Sequence, residues 1–151
     1  MRTNKVLEIA KQGRLARGCA LVFPSAELIE LLGLAGFDFV YLDGEHGLFS
    51  PESIDAMCRA ADAADLTVMA RVPQLDPAVI NTYLDRGVLG ILGPHVDTAD
   101  QARGLVDACR FAPEGNRSWG GGRGTGYSDA TLMSASAEGK PGYMAALNRE
   151  M

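Results

Sequence analysis

The feature that most restricts the fold is an alternation, repeated four times, of a short apolar run with a segment of helical periodicity. Phe39-Val-Tyr-Leu42 is apolar without alternation, the pattern of a parallel strand covered on both faces. Cys19–Phe23, Leu66–Val72 and Gly90–Val96 read as its companions. Between them, Ser25, Ser50-Pro51, Asp76-Pro77 and Thr98 each supply an N-cap, twice with a proline in the first turn. The apolar stripes that follow are Leu28, Leu31, Leu32 and Ala35, then Ile54, Met57, Cys58 and Ala61. Ile80, Tyr83 and Leu84 form the third, and Ala102, Leu105, Val106 and Cys109 the fourth. Gly36 and Gly87 stand at stop positions, and Asn4 to Lys11 predicts a lead-in helix closed by Gly13. Right-handed crossovers between successive parallel strands leave two architectures, an open doubly wound sheet or a closed eight-stranded barrel. The sequence supplies half of the second.

The polar residues of interest gather where these strands end. Leu42 is followed by Asp43, Gly44, Glu45 and His46, and the third strand carries Arg71 at its tip. Ligands of parallel α/β folds bind at the carboxyl ends of strands, so an imidazole, two carboxylates and a guanidinium there are candidates for chemistry. A purely structural pairing of Arg71 with Asp43 or Glu45 across neighbouring tips is the competing reading. His95 lies at the tip of the fourth strand and reads as a structural histidine.

A net charge of -5 and a pI near 5.0 argue against a nucleic-acid or anionic-membrane surface, which needs clustered Lys and Arg. The partner expected is a small molecule. Cys19, Cys58 and Cys109 are odd in number and widely spaced, as in reduced thiols of a cytoplasmic protein. No apolar run approaches the roughly 18 residues that span a bilayer, and the N-terminus has no secretory core. Residues 114–142 form a glycine-rich loop, of the kind that serves as a lid, a subunit contact or a disordered segment. It lacks both a preceding strand and the Gly-Lys-Ser/Thr ending of a phosphate loop. A last helix is predicted from Tyr143 to Met151.

Five segments together carry a resemblance. Phe-Asp-Phe-Val-Tyr-Leu-Asp-Gly-Glu-His-Gly (37–47), Ala-Arg-Val-Pro (70–73), Tyr-Leu-Asp-Arg-Gly (83–87), Gly-Pro-His-Val (93–96) and Cys-Arg-Phe-Ala-Pro-Glu-Gly (109–115) resemble, in order and spacing, the HpcH/HpaI aldolases. That resemblance implies a TIM (β/α)8 barrel of the phosphoenolpyruvate/pyruvate type, with about the first four β/α units in this chain. Residues 1–151 are then the N-terminal half of one barrel domain. It implies a metal-dependent class II aldolase that cleaves 4-hydroxy-2-oxoacids to pyruvate, or a related 2-oxoacid, and an aldehyde. Members are commonly hexamers built from domain-swapped dimers.

Matched residue by residue, the resemblance makes His46 the catalytic base, Arg71 the substrate-binding and enolate-stabilising arginine, and Asp85 the carboxylate that raises the basicity of the histidine. Asp43 and Glu45 are candidates to support them. Asp85 falls in the last turn of a helix, at the end of a barrel opposite the strand tips, so it would act from a neighbouring subunit or serve a structural role. The resemblance also implies a divalent metal (Mg, Mn or Co) whose acidic ligands lie beyond Met151; no metal ligands are expected within this chain. The family's tryptophan near the end of the first strand is replaced here by Val22-Phe23. Two other readings stand beside the aldolase: a catalytically silent half-barrel that self-associates, and a related lyase acting on a CoA thioester.

Overall fold

The computed structural model describes residues 3–128 and 138–151. Helix α1 (Lys5–Lys11) leads into β1 (Gly18–Leu21), α2 (Ala26–Leu34), β2 (Phe39–Asp43), α3 (Pro51–Ala63), β3 (Thr67–Arg71), α4 (Pro77–Arg86), β4 (Gly90–Leu92) and α5 (Ala99–Cys109). A 3-10 segment (Arg123–Ser128) and α6 (Lys140–Arg149) complete the order. The strands form one parallel sheet in the order β1-β2-β3-β4, with Gly18 opposite Phe39, Asp43 opposite Arg71 and Arg71 opposite Leu92. These are consecutive β/α units of a (β/α)8 barrel type.

The helix starts follow from local chemistry. Ser25 Oγ accepts from the Leu28 N–H, and Asp76 accepts from the amides of Ala78 and Val79 ahead of Pro77. Ser50 with Ser53, and Thr98 with Gln101, close reciprocal capping boxes. Gly87 ends α4 at φ 110°, a conformation open to glycine at little cost.

One sheet face is packed under the helices. Val40, Leu42, Val68 and Ala70 point there and are buried with Ile29, Leu32, Ile54, Met57, Cys58, Ala61, Ile80, Tyr83 and Leu84. At about 1.5–3 kcal/mol for each large aliphatic side chain fully removed from water, this layer is the main stabilising contribution. The other face holds Phe39, Tyr41, Met69 and Leu92 and is only partly covered by the described residues. The prediction of strands covered on both faces is therefore met on the helix side only, and burial along β2 alternates.

Several boundaries differ from the sequence reading. β1 stops at Leu21, leaving Val22 and Phe23 half exposed. β4 is cut to Gly90–Leu92 because Gly93-Pro94 follows: proline has no N–H for a ladder, and Gly93 lies against Leu105, Leu75 and Val96. α6 begins at Lys140 rather than Tyr143, with Pro141 in its first turn. In α2 the core face is Ile29 and Leu32, while Leu31 and Leu34 are exposed. In α5, Ala102 and Val106 are exposed and Leu105, Ala108 and Cys109 face inward.

Residues 114–128 of the glycine-rich segment lie at the end of the sheet where strands begin; residues 129–137 of that expected loop fall outside the described residues. Arg117 stacks on Phe111 at 4.5 Å, and Trp119 packs against Phe111 and Tyr143. A Cβ at Gly122 would sit 3.1 Å from the Asp85 carbonyl oxygen, and one at Gly124 2.9 Å from the Asp85 Cα. The glycines thus let one backbone lie directly on the last turn of α4. At the same end the Asn4 amide donates to the Leu89 and Glu150 carbonyls, tying α1 to β4 and α6.

Candidate active site at the strand tips

Asp43 and Arg71 are register partners at the last positions of β2 and β3, and they point to the open face of the sheet. Arg71 Nε donates to Asp43 Oδ1 at 3.0 Å and Nη2 donates to Oδ2 at 2.6 Å, a forked pair. Asp43 Oδ1 also accepts from the backbone N–H groups of Glu45 and His46, which fixes the turn after β2. The guanidinium and those two amides hold the Asp43 carboxyl at about 2, well below the usual carboxylate range. Gly44 is required in this turn: its N–H donates to the Arg71 carbonyl, and a Cβ there would lie 2.6 Å from that same oxygen.

Glu45 is the hub. Its Oε2 lies 3.0 Å from Arg71 Nη1 and 3.6 Å from His46 Nε2, and its Oε1 is 2.7 Å from His95 Nε2. The Glu45 side chain is 12% exposed, whereas His46 and His95 are 68% and 82% exposed. Both histidines of the chain therefore stand beside one nearly buried carboxylate at the mouth of the sheet, His95 hydrogen-bonded to it and His46 just beyond hydrogen-bond reach. The structural pairing weighed for Arg71 is present, yet it does not exhaust the guanidinium. Nη1 and Nη2 each keep one N–H for a further acceptor.

His95, expected to be a structural histidine, pairs with Glu45 across the strand tips. Its ring is open to solvent, its backbone takes the left-handed region at φ 48°, and its side chain reaches Glu45. The signal that would have found it is the Gly93-Pro94 pair, which ends β4 early and turns the next residue over the tips. Asp85 is not brought together with His46 in this chain. It accepts from Asn81 Nδ2 and Arg117 Nη2, each at 3.2 Å, under the glycine-rich segment. A cavity of about 290 Å3 opens at that end, lined by Leu84, Val88, Tyr143 and Leu147 together with Arg117 and Arg123, and none of the strand-tip residues borders it.

Among the described residues no group of three or more His, Cys, Asp or Glu is placed to hold a metal ion. Asp43 and Glu45 are engaged by Arg71 and the imidazoles, so the residues present here do not fit a metal site. Among the described residues, too, no helix is long and apolar enough to cross a membrane.

The chain is thus a run of β/α units of the (β/α)8 barrel type, with an exposed imidazole and an arginine paired to two carboxylates at their carboxyl ends. The chain belongs to the HpcH/HpaI aldolase/citrate lyase family, which its residues 21–148 match. It is 39% identical over 121 residues to a 4-hydroxy-2-oxovalerate aldolase of Rhodococcus jostii, covering 80% of this chain and 47% of that protein. It is 37% identical over 125 residues to a hydroxypyruvate/pyruvate aldolase of Roseobacter denitrificans, covering 83% and 46%. An HpcH/HpaI aldolase/citrate lyase family protein of Burkholderia cenocepacia superposes with a TM-score of 0.82 at 25% identity, covering 99% of this chain and 57% of the other. The chain spans about half the length of the curated relatives it matches.

Proposed function

We propose that the full-length protein containing this chain is a carbon–carbon lyase that cleaves a 4-hydroxy-2-oxoacid to pyruvate, or a related 2-oxoacid, and an aldehyde. In this reading residues 1–151 form the N-terminal half of a single (β/α)8 barrel domain, with a glycine-rich segment from 114 to the start of α6, and the protein is a cytoplasmic homo-oligomer. The observation that carries it is the pair of N–H donors left on Arg71 after Asp43 and Glu45 have fixed its plane, beside an exposed imidazole. The aldolase names of the relatives support the same chemistry.

His46 removes the proton of the 4-hydroxyl group, directly or through a water, an ordinary task for an imidazole near neutral pH. The C3–C4 bond then breaks, its electron pair passes into the C2–C3 enolate, and C4 leaves as the aldehyde carbonyl. Arg71 donates to the 2-oxoacid carboxylate and to the oxygen on which enolate charge develops. The proton held by His46 returns to C3. A divalent cation (Mg, Mn or Co), were it held by residues outside this chain, would supply Lewis-acid chemistry; the proton transfers and the carboxylate binding are those of His46 and Arg71. Asp85 serves His46 only if it comes from a neighbouring copy.

The test is kinetic. His46→Ala in the full-length protein lowers turnover by roughly two to four decades, Arg71→Ala weakens 2-oxoacid binding, and chelation abolishes activity that Mg, Mn or Co restores. Lys5 and Lys140 lie away from the tips and no lysine stands among the tip residues, so an amine nucleophile is not part of the proposal. A borohydride-stable pyruvate adduct would overturn it. A second reading, a catalytically silent chain that self-associates, draws support from the partly covered sheet face.

A further inference from the structure

We propose that His95 is a positioning residue of the strand-tip site: by anchoring Oε1 of Glu45 it holds Oε2 against Arg71 and beside His46, so that one carboxylate fixes the guanidinium next to the imidazole. The role assigned to the arginine and the base rests on the aldolase reading; the anchoring itself does not.

Three observations point there. Glu45 is 12% exposed, so each of its oxygens needs a partner other than bulk water, and His95 supplies one at 2.7 Å. A carboxylate only accepts, so His95 Nε2 carries the proton of that bond. Packing does not put His95 there, because its side chain is 82% exposed and, among the described residues, its hydrogen bond is to Glu45. The backbone at φ 48° costs free energy for a residue other than glycine, and such conformations persist where the surroundings enforce them, often at functional sites. Without the anchor the Glu45 side chain can rotate about its own bonds, and Oε2 leaves both Arg71 Nη1 and His46 Nε2 together.

Two replacements of His95 in the full-length protein separate anchoring from backbone comfort. His95→Gln places an amide N–H near the position of Nε2 and can reach Glu45. His95→Asn suits the left-handed backbone better but is too short. Anchoring predicts that Gln keeps most of kcat, whereas Asn and His95→Ala lose about ten- to a hundredfold, with KM changing far less. On a Glu45→Gln background, His95→Ala should add little, because the two residues act as one unit. An activity-independent reading comes from the Arg71 guanidinium N–H resonances, which stay sharp in wild type and the Gln variant and broaden in the Ala variant. If Asn matches wild type, if Gln is as poor as Ala, or if the two losses add, His95 is not a positioning residue. If wild type cleaves no 4-hydroxy-2-oxoacid with any divalent metal, the aldolase reading falls, and the Arg71 resonances still decide the anchor.

Discussion

Asp43 spends its charge on structure, and pH exposes this. Its carboxyl stands at about 2 because the Arg71 fork and two backbone amides favour the ionised form. A carboxyl depressed on folding contributes stability that is fully present above its unfolded value, about 4, and lost as pH falls through its folded value. The window is therefore about pH 4 down to about pH 2, and the contribution is at most about 2.5 kcal/mol. Asp43→Asn should flatten the stability profile in that window, measured by urea unfolding at pH 7, 4 and 3; an unchanged profile would remove Asp43 from the account. Asp43, Glu45, His46 and Arg71 were legible in the sequence because they fall at or within four residues of the end of an apolar run, where side chains reach the end of a parallel sheet. His95 was legible in position only. Its partner lies fifty positions away, and the contact depends on a backbone conformation that no spacing rule supplies.

The helices show where local chemistry suffices. Ser50 closes a capping box with Ser53 ahead of Pro51, so Ser50→Ala should cost about 1 kcal/mol in thermal or urea unfolding without disturbing the sheet. Leu42, fully buried one residue before the Asp43 tip, should cost roughly 2–5 kcal/mol as Leu42→Ala. A loss below about 1 kcal/mol would mean that the layer under the helices is looser than described. Caps were legible because Ser, Thr or Asp before a helical stripe has one dominant use. The buried face of α2 was not: Ala26–Leu34 carries Leu or Ile at five of nine positions, and several faces satisfy the spacing. Only the sheet beneath selects Ile29 and Leu32 and leaves Leu31 and Leu34 outward. The short β4 has the same origin in tertiary context, since the apolar run continues through Gly93-Pro94 while the ladder does not.

At the scale of the whole molecule, the face with Phe39, Tyr41, Met69 and Leu92 and the edges of β1 and β4 are only partly covered by the described residues. The 151-residue polypeptide on its own should associate or remain partly molten and should show no aldolase activity with added metal. Light scattering and pyruvate release test both points, and a sharp monomeric peak with metal-dependent turnover would count against them. The described part of the glycine-rich segment lies at the end opposite the mouth, through Arg117, Trp119 and the backbone of Asp85. What the mouth does have is a chain of contacts across three strand ends, from Asp43 and Glu45 after β2 to Arg71 on β3 and His95 beyond β4. A slip of one residue in any of these pairings turns the side chains to the other face of the sheet and scatters that chain. Catalytic competence is then a proofreading signal for assembly: a molecule with one strand out of register would be recognisable as silent even if it stayed compact and soluble.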